Sequence, residues 1–166
     1  MIKLAPEEVE ALYYILKDYQ KNSPESDEEY YNDYQDEYEE PISKKIIVSL
    51  IKKISSKLPK ETKEEINKDF LRQKYHTYNN EINEKAYSII EKAFSQLKTV
   101  EISYFNMENA QFKNRKIDIY YKSRKYTIGY CHLRKAIRKF RTSRIGSAKL
   151  IDQTYQFPKN FDKNNY

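Results

Sequence analysis

The residues with the clearest chemical potential in this sequence are cations and aromatic rings that share one short stretch. Between Lys113 and Lys149 the chain carries many lysines and arginines and one acid, Asp118. Guanidinium groups bind phosphates through paired hydrogen bonds, whereas lysines act as point charges. Tyrosine rings can stack on nucleobases, a contact worth about 1–3 kcal/mol per base in proteins that bind single strands. The chemistry predicted here is the binding of a nucleic acid or a nucleotide-like anion.

Each candidate residue of this stretch also has a structural interpretation. On charge alone, a solvated basic face is the simpler account of the arginines. Any single tyrosine in a chain with 17 of them is more often a packing residue, and the histidine could tie a turn to the backbone as well as contact a phosphate. The candidates are Arg115, Lys125, Tyr126, Tyr130, His132, Arg134, Arg138, Arg141 and Arg144.

Catalysis and metal chemistry find no support in the residue patterns. The sequence has no glycine-rich phosphate loop, no nucleophile elbow and no His-Glu-x-x-His pattern. Its histidines are His76 and His132 and its single cysteine is Cys131, too few for a metal cluster or an intrachain disulfide, and Cys131 is typical of a small buried hydrophobe. We predict a binding protein that is not an enzyme and has no cofactor.

Opposite charges are separated along the chain. The net charge is +6, yet the segment from Glu25 to Glu40 is strongly acidic and predicts a loop. This loop could fold over the basic stretch and compete with its ligand, or it could be a passive solubilising segment. No apolar run approaches the roughly 20 residues that a membrane span requires. We expect a cytoplasmic protein with no membrane partner.

Apolar residues at helical spacing predict four helices in the first half, beginning at Pro6, Ser43, Thr62 and Asn80. The second helix is expected to bury one stripe, and Ser43 is expected to cap it. After Thr99 the apolar residues alternate, which predicts five short strands. The predicted fold is α+β: a helical N-terminal half, then a small five-stranded β-barrel over about Val100 to Pro158.

The expected organisation is a first helix at residues 1–22, an acidic loop at 23–41, a helical region at 42–79, a domain of one helix plus the barrel at 80–158, and a polar tail at 159–166. The two glycines of the sequence, Gly129 and Gly146, lie within the strand-rich part. A strand glycine commonly marks a bulge or a close backbone approach, so we predict structural roles for them.

The stretch from Lys125 to Ile145, KYTIGYCHLRKAIRKFRTSRI, resembles the signature of the WYL domain of bacterial transcription regulators. Two letters of the naming triplet differ, since Lys125 stands for Trp and Thr127 for Leu. The family's Arg-x-Val-x-Pro strand survives only as Arg115, Ile117 and Ile119, without the proline. The matching residues are Tyr126, Ile128, Gly129, Tyr130, Cys131, His132, Leu133, Arg134, Arg138, Phe140, Arg141, Arg144 and Ile145.

The resemblance implies the ligand-sensing part of a WYL-type regulator, without the winged helix-turn-helix that reads the operator. It implies an Sm-like or SH3-like barrel that binds single-stranded nucleic acid or a nucleotide-like ligand and signals to a homodimer or to a full-length regulator. In that scheme the four motif arginines hold phosphates, Arg115 and Lys125 extend the basic wall, and Tyr126, Tyr130 and His132 contact bases or sugar. The alternative is a protein–protein interaction or dimerisation module with no nucleic-acid ligand.

Overall fold

The computed structural model describes residues 3–22, 42–76 and 81–166. The chain divides into two compact units, Met1–Asn67 and Lys68–Tyr166. The acidic segment from Glu25 to Glu40 lies outside the described residues, so its predicted loop stays a prediction. Among the described helices, none has both the length and the apolar character needed to cross a membrane.

The first unit is helical, as predicted. Helix α1 spans Pro6–Asn22, α2 spans Lys44–Ser55, and α3, Lys60–Lys74, runs from this unit into the second. Proline suits the first turn of α1, because its missing N–H would have no helical partner there. Val9 and Tyr13, one turn apart, are buried, and the Tyr13 hydroxyl donates to Asn67 Oδ1 over 3.4 Å.

Helix α2 departs from its prediction in two ways. Of its expected buried stripe, Ile47 is buried and Ile51 and Ile54 are half-buried, whereas Ile46 and Leu50 are exposed. Ser43 occupies the N-cap position, but its side chain makes no capping hydrogen bond. Its carbonyl accepts from the Ile46 and Ile47 N–H groups instead. The pattern predicted the helix correctly and overestimated how much of it this unit buries.

The second unit joins one helix to one sheet. Helix α4 spans Glu84–Ser95, and the Asn83 side chain caps it by accepting from the Ala86 N–H over 3.1 Å. Ala86, Ile90 and Ala93 recur at helical spacing and are buried. The two alanines let the helix backbone lie close to the sheet.

The sheet is antiparallel and has five strands in the order β4-β3-β2-β1-β5. The four helices and five strands confirm the α+β prediction. Strands β4 and β5 stand at the two ends with a short 3-10 turn, Thr142–Arg144, between them, and the sheet is not closed into a barrel. The strands are β1 Lys98–Asn106, β2 Gln111–Lys122, β3 Tyr126–Cys131, β4 Ala136–Arg141 and β5 Ile145–Thr154.

The core of this unit lies between α4 and one face of the sheet. Cys131 is fully buried there, which confirms that it is a small core residue. Its neighbours in the cluster come from the other four strands and the helix: Ala86, Ile90, Ala93, Val100, Ile102, Ile117, Ile119, Phe140 and Ile145. The other face of the sheet is therefore left to carry polar chemistry.

Gly129 permits a close approach of β3 to β2, as predicted for a strand glycine. A Cβ at this position would lie 2.2 Å from the Asp118 carbonyl oxygen. The register of the two strands shifts nearby, between Ile119 and Tyr121. A bulge of this kind bends a strand and increases its twist. The glycine thus fixes the local shape of the sheet.

We expect Gly129→Ala to lower the free energy of unfolding by about 3 kcal/mol or more, at the upper end of overpacking costs, because main-chain atoms cannot rotate away from the new methyl group. Gly146→Ala is the matched control, since its Cβ would meet the Phe112 ring at 2.6 Å. A ring can turn aside, so we expect a loss below about 1 kcal/mol. Urea unfolding followed by circular dichroism measures both; equal losses would contradict the backbone account.

Candidate ligand site

Cross-strand pairing places the candidate tyrosines on the side of the sheet opposite the core. Tyr126, Ile128 and Tyr130 alternate with the core residue Cys131 along β3, and residues directly opposite on neighbouring strands share a face. Arg141 lies opposite Tyr126. Asp118 lies opposite Tyr130. We call this surface of β2, β3 and β4 the tyrosine face.

A cavity of about 280 Å³ lies where β3 ends beside β1 and β2. Two predicted residues, Arg115 and His132, line it together, although 16 residues of chain separate them. Pairing of Ile117 with Cys131 brings them together. We call it the Arg115 cavity; its lining is completed by Glu101, Asn114, Lys116 and Leu133.

Arg115 is the electrostatic centre of this cavity. Its Nε and Nη1 atoms are shielded from solvent, and neither has a hydrogen-bond partner among the described residues. The Glu101 carboxylate in the same lining accepts from Asn114 Nδ2 over 3.2 Å. A shielded donor without an acceptor costs about 1–3 kcal/mol, and more when it is charged. An anion with two oxygen atoms would supply the missing acceptors.

A buried carboxylate holds His132. Asp118 Oδ1 accepts from the Thr99 hydroxyl over 2.6 Å and lies 3.0 Å from His132 Nε2. The His132 main-chain N–H also donates to the Lys116 carbonyl over 3.0 Å. The imidazole Nε2 is shielded from solvent and is not aligned for a hydrogen bond to Asp118, although the two atoms are close. Asp118, the one acid of the basic stretch, therefore positions the histidine.

The phenols beside Asp118 remain protonated. Burial raises the pKa of Tyr120, and the nearby Asp118 and Tyr130 raise it further. Burial likewise raises the pKa of Tyr155, with Asp118 as the second cause. Deprotonating either phenol would place a second negative charge next to a buried carboxylate. These rings act as neutral, apolar surfaces.

The opposite end of the tyrosine face combines one ring with three cations. The Nζ atoms of Lys125 and Lys139 lie 5.5 Å and 4.8 Å from the centre of the Tyr126 ring. Arg141 stands across the strand from it. Lys139 was not predicted from the sequence. It precedes Arg141 by two residues, and this spacing places both side chains on the same face of a strand, which could have identified it.

The remaining candidates are dispersed. Tyr130 meets His132 edge to face, with ring centres 5.3 Å apart. Arg134 in the β3–β4 turn and Arg138 on β4 are exposed. Arg144 does not contact either group of candidates, because its Nε donates to the Tyr75 carbonyl over 3.1 Å. The structure thus brings Arg115, Tyr130 and His132 together, groups Lys125, Tyr126 and Arg141 separately, and leaves Arg134, Arg138 and Arg144 outside both groups.

Comparison with known proteins bears on the domain. Residues 85–150 match the family model of the WYL domain, which confirms the resemblance carried by Lys125 to Ile145. No curated protein matches the chain. Among solved structures, proteasome accessory factor B/C (PafBC) of Arthrobacter aurescens is similar, with a TM-score of 0.39 and 17% identity over 92% of this chain. The similarity covers 21% of that protein, so this chain spans about a fifth of its length.

We expect Thr99→Val to lower the free energy of unfolding by about 1.5–3 kcal/mol, because it removes a hydrogen bond to a buried carboxylate. Thr127→Val is the matched control. Thr127 is equally buried, but its hydroxyl pairs with the neutral Thr142 hydroxyl at 3.2 Å, so we expect about 1 kcal/mol. Chemical unfolding of both variants tests the difference; a larger loss for Thr127→Val would contradict a charged partner at Asp118.

Proposed function

We propose that residues 85–150 of this chain, which match the family model of the WYL domain, are the ligand-sensing part of a bacterial WYL-type transcriptional regulator. The family match supports a regulatory sensing domain in general. The finer proposal is that the domain acts in the cytoplasm, without catalysis or cofactor, and binds a nucleic-acid fragment or a nucleotide-like anion. Single-stranded nucleic acid is the ligand class that best combines phosphate charge with accessible bases.

The observation that carries this proposal is that the Nε and Nη1 atoms of Arg115 are shielded from solvent and have no hydrogen-bond partner among the described residues. The cavity around it also contains Lys116 and His132. The acid in its lining, Glu101, accepts from Asn114, and the neighbouring Asp118 accepts from Thr99. A phosphate oxygen pair would satisfy the two shielded N–H groups and offset the local positive charge. A solvated basic face would instead leave its guanidinium groups open to water.

The length of the tyrosine face favours a strand over a single small anion. Tyr126 and His132 are six residues apart along β3 and its end, which corresponds to about 20 Å. Lys125, Lys139 and Arg141 are gathered at the first end, and Lys116 and His132 lie at the second end, beside the Arg115 cavity. A ligand that touches both groups must therefore extend across several nucleotides.

We further infer that the curled sheet corresponds to the family's Sm-like or SH3-like barrel. Its register shifts occur between β2 and β3 and at two points between β1 and β5. Bulges bend strands and increase twist, which is how small sheets curl. The unpaired edges of β4 and β5 would be the opening of such a barrel.

A second function has one observation in its favour. The helical unit exposes several large apolar side chains, and exposed apolar patches mark protein–protein interfaces. This supports the alternative of an interaction or dimerisation module, with a homodimer or a full-length regulator as the partner. The residues concerned are Leu12, Ile15, Ile42, Ile46, Val48 and Leu50.

We expect the chain to bind short single-stranded DNA or RNA with little sequence preference and with strong dependence on salt. If roughly four phosphates are neutralised, the logarithm of the binding constant should fall against the logarithm of salt with a slope of about −3. Fluorescence anisotropy of a labelled oligothymidylate measures this slope. No binding at about 50 mM salt would remove the nucleic-acid ligand and favour the interaction module.

Arg115→Gln should weaken oligonucleotide binding at least about tenfold, or 1.4 kcal/mol, because it removes the charge at the cavity. Thermal stability should not fall, since the substitution also removes a shielded charge without a partner. Arg124→Gln is the control, because Arg124 is exposed and pairs with Glu84; its affinity should stay within about twofold. If Arg115→Gln lowers thermal stability while its folded fraction keeps the oligonucleotide affinity of the unchanged chain, Arg115 is a structural residue and not a ligand-binding one.

A further inference from the structure

The segment that follows β5, residues 155–166, packs along the tyrosine face. The Tyr155 hydroxyl donates to the Ile119 carbonyl. The Tyr120 ring is in edge contact with three rings of this segment, Tyr155, Phe157 and Phe161, at centre distances of 5.8, 5.6 and 5.4 Å. The segment joins the end of the predicted domain to residues 159–166, which composition predicts to be a polar tail, and it contributes a cluster of aromatic rings, which we call the aromatic segment.

The aromatic segment reaches the group of cations around Tyr126. Tyr166 stacks on Phe161 with ring centres 5.9 Å apart and planes inclined by 15°. Lys139 Nζ, which lies over the Tyr126 ring, donates to the Tyr166 carbonyl. Lys163 lies 5.1 Å from the centre of the Tyr121 ring, on the strand next to Tyr126. The segment therefore extends the tyrosine face and does not form a separate patch.

Burial does not account for all of these rings. Phe161 is half-buried and anchors the segment against Tyr120, but Phe157 and Tyr166 keep 42% and 40% of their surfaces exposed. Packing alone would be served by smaller apolar residues at the two exposed positions. Surfaces that bind single-stranded nucleic acids combine exposed aromatic rings, which stack on bases, with nearby lysines, which contact phosphates.

We propose that Phe157, Phe161 and Tyr166 form a nucleobase-stacking subsite of the tyrosine face. The subsite takes the bases of the same strand whose phosphate occupies the Arg115 cavity, with Lys139 and Lys163 beside the backbone. This inference rests on the proposed function and adds to it the place where bases bind. It also assigns a role to residues outside the matched domain, which ends at residue 150.

The first test compares exposed rings that match in type and exposure. Phe157→Leu and Tyr166→Leu keep apolar bulk and remove the stacking surface, so each should weaken binding of a labelled oligothymidylate at least about fivefold. Phe112→Leu and Tyr14→Leu are the controls. Their side chains are 41% and 38% exposed and belong neither to the tyrosine face nor to the aromatic segment, so both variants should leave affinity unchanged. Unchanged affinity in the first pair would overturn the subsite, and tighter binding would make the segment a cover over the face.

The second test reports on stacking without a phosphate. The chain contains no tryptophan, so Phe157→Trp introduces a single indole whose fluorescence a stacked base quenches. Adenosine should quench it equally with and without Arg115→Gln, whereas half-maximal quenching by oligothymidylate should need at least about tenfold more oligonucleotide when Arg115 is replaced. Quenching by adenosine alone supports the subsite and refutes the anion cavity. No quenching by either probe overturns the subsite, and loss of oligonucleotide affinity in Arg115→Gln would still support the proposed function.

Discussion

The close approach of β3 to β2 at Gly129 is the constraint on which the rest of the site depends. The contact brings the backbone of β3 against the Asp118 carbonyl, where no side chain could fit. Asp118 is thereby fixed beneath the tyrosine face, with its carboxylate toward Thr99 and His132. A single glycine consequently sets the bend of the sheet and the position of the one acid in a basic stretch.

The contacts that the Asp118 carboxylate makes with other residues explain why the cavity next to it is electropositive. Asp118 Oδ1 accepts from Thr99 and lies beside His132 Nε2, and Glu101 Oε1 accepts from Asn114, so each of these contacts goes to a residue other than Arg115. Had either acid been directed at Arg115, an internal ion pair would occupy the position that an anion can take.

A feature of the fold or of the candidate site could be predicted from the sequence when it depends on residues close together along the chain. Helix α4 and the five strands follow from spacing along the chain, so their patterns predicted them. The grouping of Arg115 with His132 depends on the register between β2 and β3, which no local pattern contains. Arg144 has the same spacing as Arg138 and Arg141 yet donates to the Tyr75 carbonyl, because the turn after β4 redirects the chain.

The cost of leaving Arg115 without a partner is also what suits the cavity to sensing. An unpaired charged donor raises the free energy of the ligand-free domain by about 1–3 kcal/mol or more, and an anion that supplies the acceptors recovers that amount on binding. Recovered in full, such a term changes affinity by roughly fivefold to 150-fold. A domain whose arginine already had acceptors within the protein would not gain this free energy on binding. Its stability would therefore differ less between the ligand-free and ligand-bound states. Ligand-dependent stability is what a regulatory domain must convert into a signal, and under the proposed function its source would be the Arg115 guanidinium, whose Nε and Nη1 atoms are shielded without a partner among the described residues.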